Sequence, residues 1–428
     1  MGGIFASRET IEGETFLSFG ADRLRRLCRA AEMHDEEPVM LEMFERFSHP
    51  WNRWRIGSRP RYPSNVADDH APLELSAAFS ARETELQVYW EPLAENPGLA
   101  SNMTAGLSVL RELVDCYDLP TARWGAIKDL FFPERPRGIF TMLLGSTWGR
   151  GKPPRFKIYL NPYVRGSAAM PALMQEAMAR LGFERAWAAE QEKHRFRGAE
   201  LDEVTLVCLD LTRGPEARVK VYRRHYQATV TQLEALAGVA RDFQPGDAER
   251  FYGLIAGQPG PFLSKPLITS LTFREGDCDR PGSATLEFPV SSYVADDAAS
   301  SGRIERAFTA YGLDPSRYRR IIDAIRVRPL DQGNGIHAHI THRRVNGESR
   351  LTVYFATEAY PVEATTWAAL PESVRSPASV RSPASVRSPA SVRSPASARG
   401  PGSARGVEHT AAEPPDHAPE SRQSPAGP

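Results

Sequence analysis

Five short segments of the sequence share one pattern and recur at nearly regular intervals. They read QVYW, KIYL, KVYR, TLEF and TVYF, and they begin at Gln87, Lys157, Lys220, Thr285 and Thr352. The intervals of 70, 63, 65 and 67 residues indicate five copies of one supersecondary unit of about 65 residues. An alternating or β-branched run precedes each segment, so each unit is predicted to contain a hairpin.

Helices with a 3.6-residue apolar period lie between the hairpins, for example over residues 168–191 and 301–325. They are too few to separate every pair of consecutive strands, which favours antiparallel pairing. Ten strands from five hairpins can close into a barrel, which removes the sheet edges and leaves an interior for ligands. The predicted fold class is therefore α/β, of the α+β type, with a ten-stranded antiparallel barrel inside a layer of helices.

A closed barrel gives the alternation along each strand a direction. Apolar residues should face the helices, namely Val88, Ile158, Val219, Val221, Leu286 and Val353. Residues on the other face should line the lumen, namely Gln87, Tyr89, Lys157, Tyr159, Arg218, Lys220, Tyr222 and Tyr354. In isolation, an alternation such as that from Arg218 to Tyr222 is more typical of a solvated edge strand, so the repeat is what favours the lumen.

Such a lumen would combine two chemical properties. Lys157, Arg218 and Lys220 would repel one another in a poorly screened interior, so a multiply charged phosphate ligand is their natural partner. The tyrosines offer π faces that attract a cation without a nucleophile to trap it. Together they suit a substrate that separates into diphosphate and a carbocation, although a packed aromatic core is the alternative.

Composition limits the other function classes. The chain is 41% hydrophobic and 25% charged, and 53 acidic residues balance 53 basic ones. Nothing global therefore indicates nucleic acid or a membrane surface. Four widely separated cysteines and the lack of a signal-peptide pattern predict a cytoplasmic protein with reduced thiols.

The last part of the chain has a different composition. A unit of six residues, SVRSPA, repeats and then gives way to a Pro- and Ala-rich end, which predicts a disordered tail over 369–428 after a barrel over 1–368. Its Arg-Ser-Pro units could attract an anionic partner or a kinase. An appendage without a role in activity is the favoured interpretation.

Together, Glu74, Lys157-x-Tyr159 and Arg218-x-Lys220-x-Tyr222 in their repeats resemble the dimethylallyltryptophan synthase family of aromatic prenyltransferases. The resemblance covers approximately residues 10–365. It implies an ABBA barrel and an enzyme of secondary, alkaloid-type metabolism. That enzyme would transfer a dimethylallyl group from dimethylallyl diphosphate to an indole, most often that of L-tryptophan.

The resemblance also implies roles for individual residues. Lys157, Arg218 and Lys220 would bind the diphosphate, and Arg343 or Arg344 would add a cation, with Arg344 taken as the candidate. Glu74 would be the catalytic residue that accepts the indole N–H. The tyrosines expected to shield the allyl cation are Tyr89, Tyr159, Tyr222 and Tyr354.

Some positions depart from the family pattern. Gln87 stands near the place of a family arginine, with Arg82 as the nearest alternative, and Glu287 replaces a shielding tyrosine in the fourth unit. The lysine implicated in C4 prenylation is missing from GIFTMLLGSTW, residues 138–148. This favours C6 or C5 of the indole over C4. Trp148 would either shape the pocket or only pack.

No metal or other cofactor is predicted. The acidic pairs Asp68-Asp69 and Asp296-Asp297 lack the third aspartate of a DDxxD magnesium motif and are typical of turns. HAHITH, residues 337–342, has a metal-like spacing of histidines but no evident fourth ligand. Side-chain cations alone should therefore hold the diphosphate.

Two other functions remain open at this level. The acceptor could be a tryptophan-containing cyclic dipeptide or another indole or phenol. The chain could also be a non-catalytic barrel that binds a phosphorylated metabolite. Binding of nucleic acid or of a membrane is not expected.

Overall fold

Ten antiparallel strands follow one another around a closed barrel in the computed structural model, which describes residues 11–361. β1 pairs with β10, with Leu75 opposite Phe355, so the sheet has no free edge. The predicted ten-stranded fold is confirmed, whereas the boundary at residue 368 and the tail, 369–428, lie outside the described residues. The strands are β1 Leu73–Phe79, β2 Thr84–Trp90, β3 Met142–Gly149, β4 Arg155–Leu160, β5 Asp202–Asp210, β6 Val219–His225, β7 Leu267–Phe273, β8 Ser283–Phe288, β9 His337–Val345 and β10 Glu348–Phe355.

Within residues 11–361, two α-helices precede the first hairpin and two follow each of the first four hairpins. None of these helices is long and apolar enough to cross a bilayer. The helices are α1 Phe16–Ala30, α2 Glu37–Phe47, α3 Leu99–Tyr117, α4 Ala122–Phe131, α5 Met170–Arg180, α6 Glu184–His194, α7 Val230–Ala237, α8 Asp247–Ile255, α9 Asp297–Ala310 and α10 Pro315–Ile325.

Two sequence stretches that read as single helices each form a pair. The stretch 168–191 is divided between α5 and α6 at Gly182, whose φ of 81° lies in the left-handed region. The stretch 301–325 is divided between α9 and α10, because Asp314 caps the second helix and Pro315 occupies its first position. At each break the chain turns between the two helices of a pair.

The core lies between the barrel and the helices, as the alternation predicts. Ile158, Val219, Leu286 and Val353 on the outer face of the strands are each no more than 1% exposed. Burial of one such side chain contributes roughly 1.5–3 kcal/mol to the free energy of unfolding. The outer face therefore stabilises the barrel, which leaves the lumenal face free to carry polar groups.

A buried polar network fixes α6 to the outside of the barrel. Arg223 on β6 donates to Glu190 on α6, with Nε at 2.5 Å from Oε1 and an NH2 atom at 2.9 Å from Oε2. Beside this pair, Asp202 accepts from Arg197 Nε at 2.9 Å and contacts His225 Nδ1 at 2.8 Å. Because each buried charge has a partner, loss of a single member would leave an uncompensated charge in the core.

Ile158 and Lys157 are neighbours on β4, and they face the core and the lumen respectively. Substitutions at these two positions therefore test the two faces separately. We expect Ile158→Ala to lower the free energy of unfolding by about 2–5 kcal/mol, because it opens a cavity in the core. Lys157→Met should leave it unchanged or raise it, because the lumenal amine is already desolvated. Urea denaturation measures both values. A loss in Lys157→Met equal to that in Ile158→Ala would contradict this assignment of faces.

Candidate active site

The barrel encloses a cavity of about 780 Å³ that opens at one end. The loop residues that line it are 64–68, 264–265, 291–292, 294–295 and 334–335. This volume lies within the range of small-molecule sites. Acidic groups and tyrosines line this cavity, and the alternation along β4 and β6 places a basic group in the lumen beyond the tyrosines.

Asp210 holds Arg218 at the basic end. Its carboxylate accepts from Arg218 Nε at 2.7 Å and from an NH2 atom at 3.2 Å, which fixes the plane of the guanidinium. Burial opposes ionisation of Asp210, but the charge of Arg218 outweighs it and lowers the pKa of Asp210 to about 2. The sequence interpretation missed Asp210, although alternation along β5 places it in the lumen with Cys208.

Lys157 and Lys220 face the same space as Arg218, as predicted. Burial, followed by the like charge of Arg218, lowers the pKa of Lys157 to about 8 and that of Lys220 to about 7. Lys220 Nζ also donates to Tyr222 Oη at 3.1 Å and lies 4.8 Å from the centre of that ring. The two amines are therefore poised to gain protons when an anion enters.

Arg343 and Arg350 extend the basic group from β9 and β10, where they lie opposite each other. Burial and the charges of Arg218 and Arg350 lower the pKa of Arg343. Arg350 is paired with Glu85, whose other oxygen lies 2.5 Å from Arg155. Alternation along each strand can place an arginine on the lumenal face. Only the register between β9 and β10 shows that Arg343 and Arg350 lie next to each other there.

Arg344 does not lie in the lumen, which contradicts its choice as a diphosphate-binding cation. Its side chain points away from the lumen and makes two bonds to Asp247 on α8, with Nε at 2.7 Å and an NH2 atom at 2.6 Å. The alternation along β9 assigns the lumenal position to Arg343 instead, which was the alternative in the sequence. An error of one residue exchanges the two faces of a strand.

Four tyrosines form a continuous arc above the basic group. The ring centroid of Tyr89 lies 5.9 Å from that of Tyr354 and 5.8 Å from that of Tyr159. The ring centroids of Tyr159 and Tyr222 lie 6.3 Å apart. Gly145 allows this approach, because a Cβ atom there would lie 2.9 Å from Tyr89 and 3.2 Å from Tyr159. The four predicted shielding residues are thus brought together.

Glu74 lies in the lumen opposite Tyr89, on the side of the opening. Burial raises its pKa well above the ordinary value, and the neighbouring charges of Asp68 and Glu287 raise it further. A carboxyl group in this setting can hold a proton or accept a strong hydrogen bond near neutral pH. The predicted catalytic residue is therefore placed in the same cavity as the tyrosines.

A second polar group, which the sequence interpretation did not assemble, faces Glu74. His339 Nδ1 lies 2.9 Å from Glu287 Oε1, and His339 Nε2 lies 2.9 Å from Lys265 Nζ. Lys265 Nζ in turn donates to Asp68 Oδ1 at 2.5 Å. Two of these residues come from loops, and their approach depends on barrel closure.

Trp148, Gln87 and Arg82 are also placed by the structure. Trp148 is 1% exposed and donates to Ser146 Oγ at 2.8 Å on the outer face, so it packs in the core. Gln87 is lumenal and accepts a hydrogen bond from Tyr89 Oη. Arg82 lies at a hairpin turn with its side chain 83% exposed, so it cannot replace a lumenal arginine.

The histidines of HAHITH do not come together. His337 bonds to Asp297 and Tyr318 outside the barrel, and His342 stacks on Tyr311, while His339 alone faces the lumen. Asp297 is a buried partner of Arg328, and Asp296 caps α9. Neither HAHITH nor the Asp296-Asp297 pair therefore forms a ligand cluster.

Within residues 11–361, one group of three side chains has its potential metal-ligating atoms close together. His194, Asp202 and His225 lie together outside the barrel. His225 already contacts Asp202 through Nδ1 and Thr269 Oγ1 through Nε2, each at 2.8 Å. The cluster belongs to the network that fixes α6, and it is remote in position from the lumen.

A family model described as tryptophan dimethylallyltransferase matches residues 48–237. The fold is similar to that of 6-dimethylallyltryptophan synthase from Micromonospora olivasterospora, solved in complex with DMASPP and Trp. The two chains are 33% identical, the match covers 82% of this chain and 99% of that one, and the TM-score is 0.77.

Two further solved structures are similar. The 5-dimethylallyl tryptophan synthase from Streptomyces coelicolor, in complex with DMASPP and Trp, is 27% identical over 82% of this chain and 98% of that chain, with a TM-score of 0.74. The prenyltransferase PriB, in ternary complex with L-tryptophan and dimethylallyl thiolodiphosphate, is 26% identical over 83% of this chain and 99% of that chain, with a TM-score of 0.75.

The lowered pKa of Lys220 predicts how anion binding depends on pH. Isothermal titration with inorganic diphosphate should show affinity falling by about tenfold as pH rises from 7 to 8.5, because Lys220 must take up a proton to contribute its charge. Lys220→Met should bind about 10- to 100-fold more weakly at pH 7 and lack this part of the pH dependence. Identical pH dependences in the two proteins would contradict the prediction.

Proposed function

Because the chain belongs to the tryptophan dimethylallyltransferase family, we propose that it transfers the dimethylallyl group of dimethylallyl diphosphate to the indole ring of L-tryptophan. One observation carries the proposal: a basic group, a tyrosine arc and a buried carboxyl follow one another along a single lumen. This is the order in which a leaving diphosphate, an allyl cation and an indole must lie for the new carbon–carbon bond to form.

The basic end binds the diphosphate and promotes its departure. Lys157, Arg218 and Lys220 contact its oxygens, with Arg343 as the further cation in place of Arg344. As the allylic C–O bond breaks, its electron pair goes to the diphosphate, and the fixed cations stabilise the growing negative charge. Loss of one such group is expected to cost about 10²- to 10³-fold in kcat.

The tyrosine arc protects the allyl cation. Tyr89, Tyr159, Tyr222 and Tyr354 present ring faces and edges that attract positive charge and keep water away. Burial raises the pKa of each phenol. They stay neutral near pH 7, and a neutral phenol is a poor trap for the cation.

Glu74 positions the indole. Its carboxyl accepts the indole N–H, which orients the ring and increases its electron density as the ring carbon attacks the cation. The opening of the cavity lies on the same side as Glu74, so the amino-acid part of tryptophan is left towards the mouth. This arrangement directs the benzo edge of the indole at the tyrosine arc.

C6 or C5 is the favoured ring position. The lumenal residues of β3 are Leu143, Gly145, Thr147 and Gly149, so this strand supplies no lysine for proton removal near C4. Two of the similar structures are those of enzymes named as 6- and 5-dimethylallyltryptophan synthases. Both points favour a carbon of the benzo ring away from C4.

The reaction is proposed to need no metal ion. A magnesium-dependent enzyme uses the ion to neutralise the diphosphate, but here that charge is supplied by Lys157, Arg218, Lys220 and Arg343. The acidic side chain nearest to them, Asp210, is already engaged by Arg218. The site is thus built to receive the anion directly.

The direct test is a product assay. Purified protein with dimethylallyl diphosphate, L-tryptophan and EDTA should yield tryptophan heavier by one prenyl unit, and NMR should place the group at C6 or C5. Lys157→Met should lower kcat by about 10²- to 10³-fold while Arg344→Met retains most of the activity, because Lys157 faces the lumen and Arg344 does not. Turnover of a cyclic dipeptide without turnover of tryptophan would overturn the acceptor, and anion binding without any turnover would favour a non-catalytic barrel.

The raised pKa of Glu74 predicts an acid limb in the pH profile. Only the ionised form is a strong acceptor for the indole N–H, so kcat/KM for tryptophan should rise with pH as Glu74 loses its proton. Glu74→Gln should lower kcat/KM by about 10²- to 10⁴-fold and remove this limb, whereas the exposed Glu95→Gln should match the unmodified protein. An unchanged acid limb in Glu74→Gln would assign the titration to another group.

A further inference from the structure

One position in the tyrosine arc is not aromatic. The five even-numbered strands each place a side chain two residues after Gln87, Lys157, Lys220, Thr285 or Thr352. Four of those side chains are the tyrosines of the arc, and the fifth is Glu287 on β8. Glu287 also lines the cavity that contains Glu74. A carboxylate therefore stands in the wall beside the site where the allyl cation forms.

We infer that Glu287 is the base that removes the proton from the alkylated ring carbon. The inference rests on the proposed function and extends it, because attack on the allyl cation leaves the ring carbon with both a hydrogen and the new prenyl group. Aromaticity returns only when that hydrogen leaves as a proton. An enclosed site must supply a base within reach of this carbon.

Contacts from β9 and the loops position Glu287 for this step. His339 Nδ1 lies 2.9 Å from its Oε1, although the ring N–H is not aligned for a hydrogen bond. Lys265 holds the other side of the imidazole at 2.9 Å, and Asp68 holds Lys265. The side chain of His339 is 10% exposed and that of Glu287 is 14% exposed. Glu287 therefore lies in the wall beside His339 and reaches the cavity.

The other groups around the cavity are less suited to the step. The phenols of the arc are neutral acids, since burial raises their pKa. The amines of Lys157 and Lys220 are committed to the diphosphate. Glu74 is committed to the indole N–H and has a pKa raised by burial and by the charges of Asp68 and Glu287. Among the described residues that line the cavity, the other carboxylates are Asp68, which is paired with Lys265, and Glu287.

The proposed step is balanced without a further reactant. A π electron pair of the indole forms the bond to the allyl carbon, and the diphosphate has left with the C–O electron pair. The ring C–H bond then breaks, its electrons restore the aromatic ring, and the proton moves to a Glu287 oxygen. Glu287 becomes a neutral acid and returns the proton to water when product leaves through the mouth.

The contact with His339 also explains how a carboxylate can be tolerated beside an allyl cation. A free carboxylate would capture the cation as an ester. The positive end of the His339 ring and the charge of Lys265 attract its electron density, and the arc of tyrosines stabilises the cation on the opposite side. His339 is therefore a positioning residue, and Glu287 is the proposed catalytic residue.

Glu287→Gln tests the inference directly. It should lower kcat by about 10²- to 10⁴-fold, with little change in the KM for dimethylallyl diphosphate. With tryptophan deuterated on the benzo ring, a primary isotope effect should appear in this variant and be small in the unmodified protein. Dimethylallyl alcohol should increase relative to prenylated tryptophan, because the cation still forms but the ring cannot lose its proton.

Glu287→Tyr is the matched control, because it completes the aromatic arc without supplying a base. It should be as slow as Glu287→Gln, whereas Glu287→Asp should recover part of the activity. Unchanged affinity for inorganic diphosphate and unchanged urea denaturation would show that each variant is folded. Full activity in Glu287→Tyr or Glu287→Gln would overturn the inference and would point to the departing diphosphate as the base.

A second acceptor separates catalysis from substrate binding. 3-Methylindole lacks the ammonium group, so its prenylation should suffer from Glu287→Gln as much as that of tryptophan. A loss confined to tryptophan and to its KM would assign Glu287 to the ammonium and overturn the inference. If the unmodified protein prenylates no indole at all, the proposed function itself fails, an outcome distinct from an active protein that tolerates Glu287→Gln.

Discussion

The structure depends on closure of the sheet into a barrel. Closure places apolar side chains on the outer face of each strand and polar side chains on the lumenal face. On β4, Ile158 is in the apolar core while Lys157 beside it is in the lumen. Burial of the outer residues stabilises the barrel strongly enough to keep Lys157, Lys220 and Arg343 in an interior that lowers the pKa of each of them. The free-energy cost of burying these cations falls when a diphosphate enters and pairs with them. Relief of that cost therefore contributes to binding of the anion.

The lumen is graded in charge along its axis. Lys157, Arg218 and Lys220 lie on one side of the tyrosines, and the carboxyl groups of Glu74, Glu287 and Asp68 line the cavity on the side of the opening. An allylic diphosphate entering this field is drawn with its anion inward, so the reacting carbon is left at the level of the tyrosines. The same gradient favours the cationic transition state, since its positive charge develops between the departing anion and the acidic end.

Alternation and repeat spacing were enough to predict the barrel, its lumenal face, and the family resemblance, because these depend on residues that are near one another in sequence. Pairings between distant strands and loops were out of reach. The contact of Glu85 with Arg350 and that of Lys265 with Asp68 join segments more than 190 residues apart. The choice of Arg344 over Arg343 was wrong for a related reason. Successive residues of a strand face opposite sides of the sheet, and the sequence did not determine the register of this hairpin.

The replacement of a tyrosine by Glu287 shows why departures from a repeat are informative. The other four units keep a phenol at this position, so the barrel itself has no need of a carboxylate there. A structural role would be served equally by an aromatic ring, which packs without the cost of desolvating a charge. His339 and Lys265 offset that cost only at this position. A charge that is placed beside a forming cation, and supported by its own partners, is explained by chemistry at the ring rather than by packing of the wall.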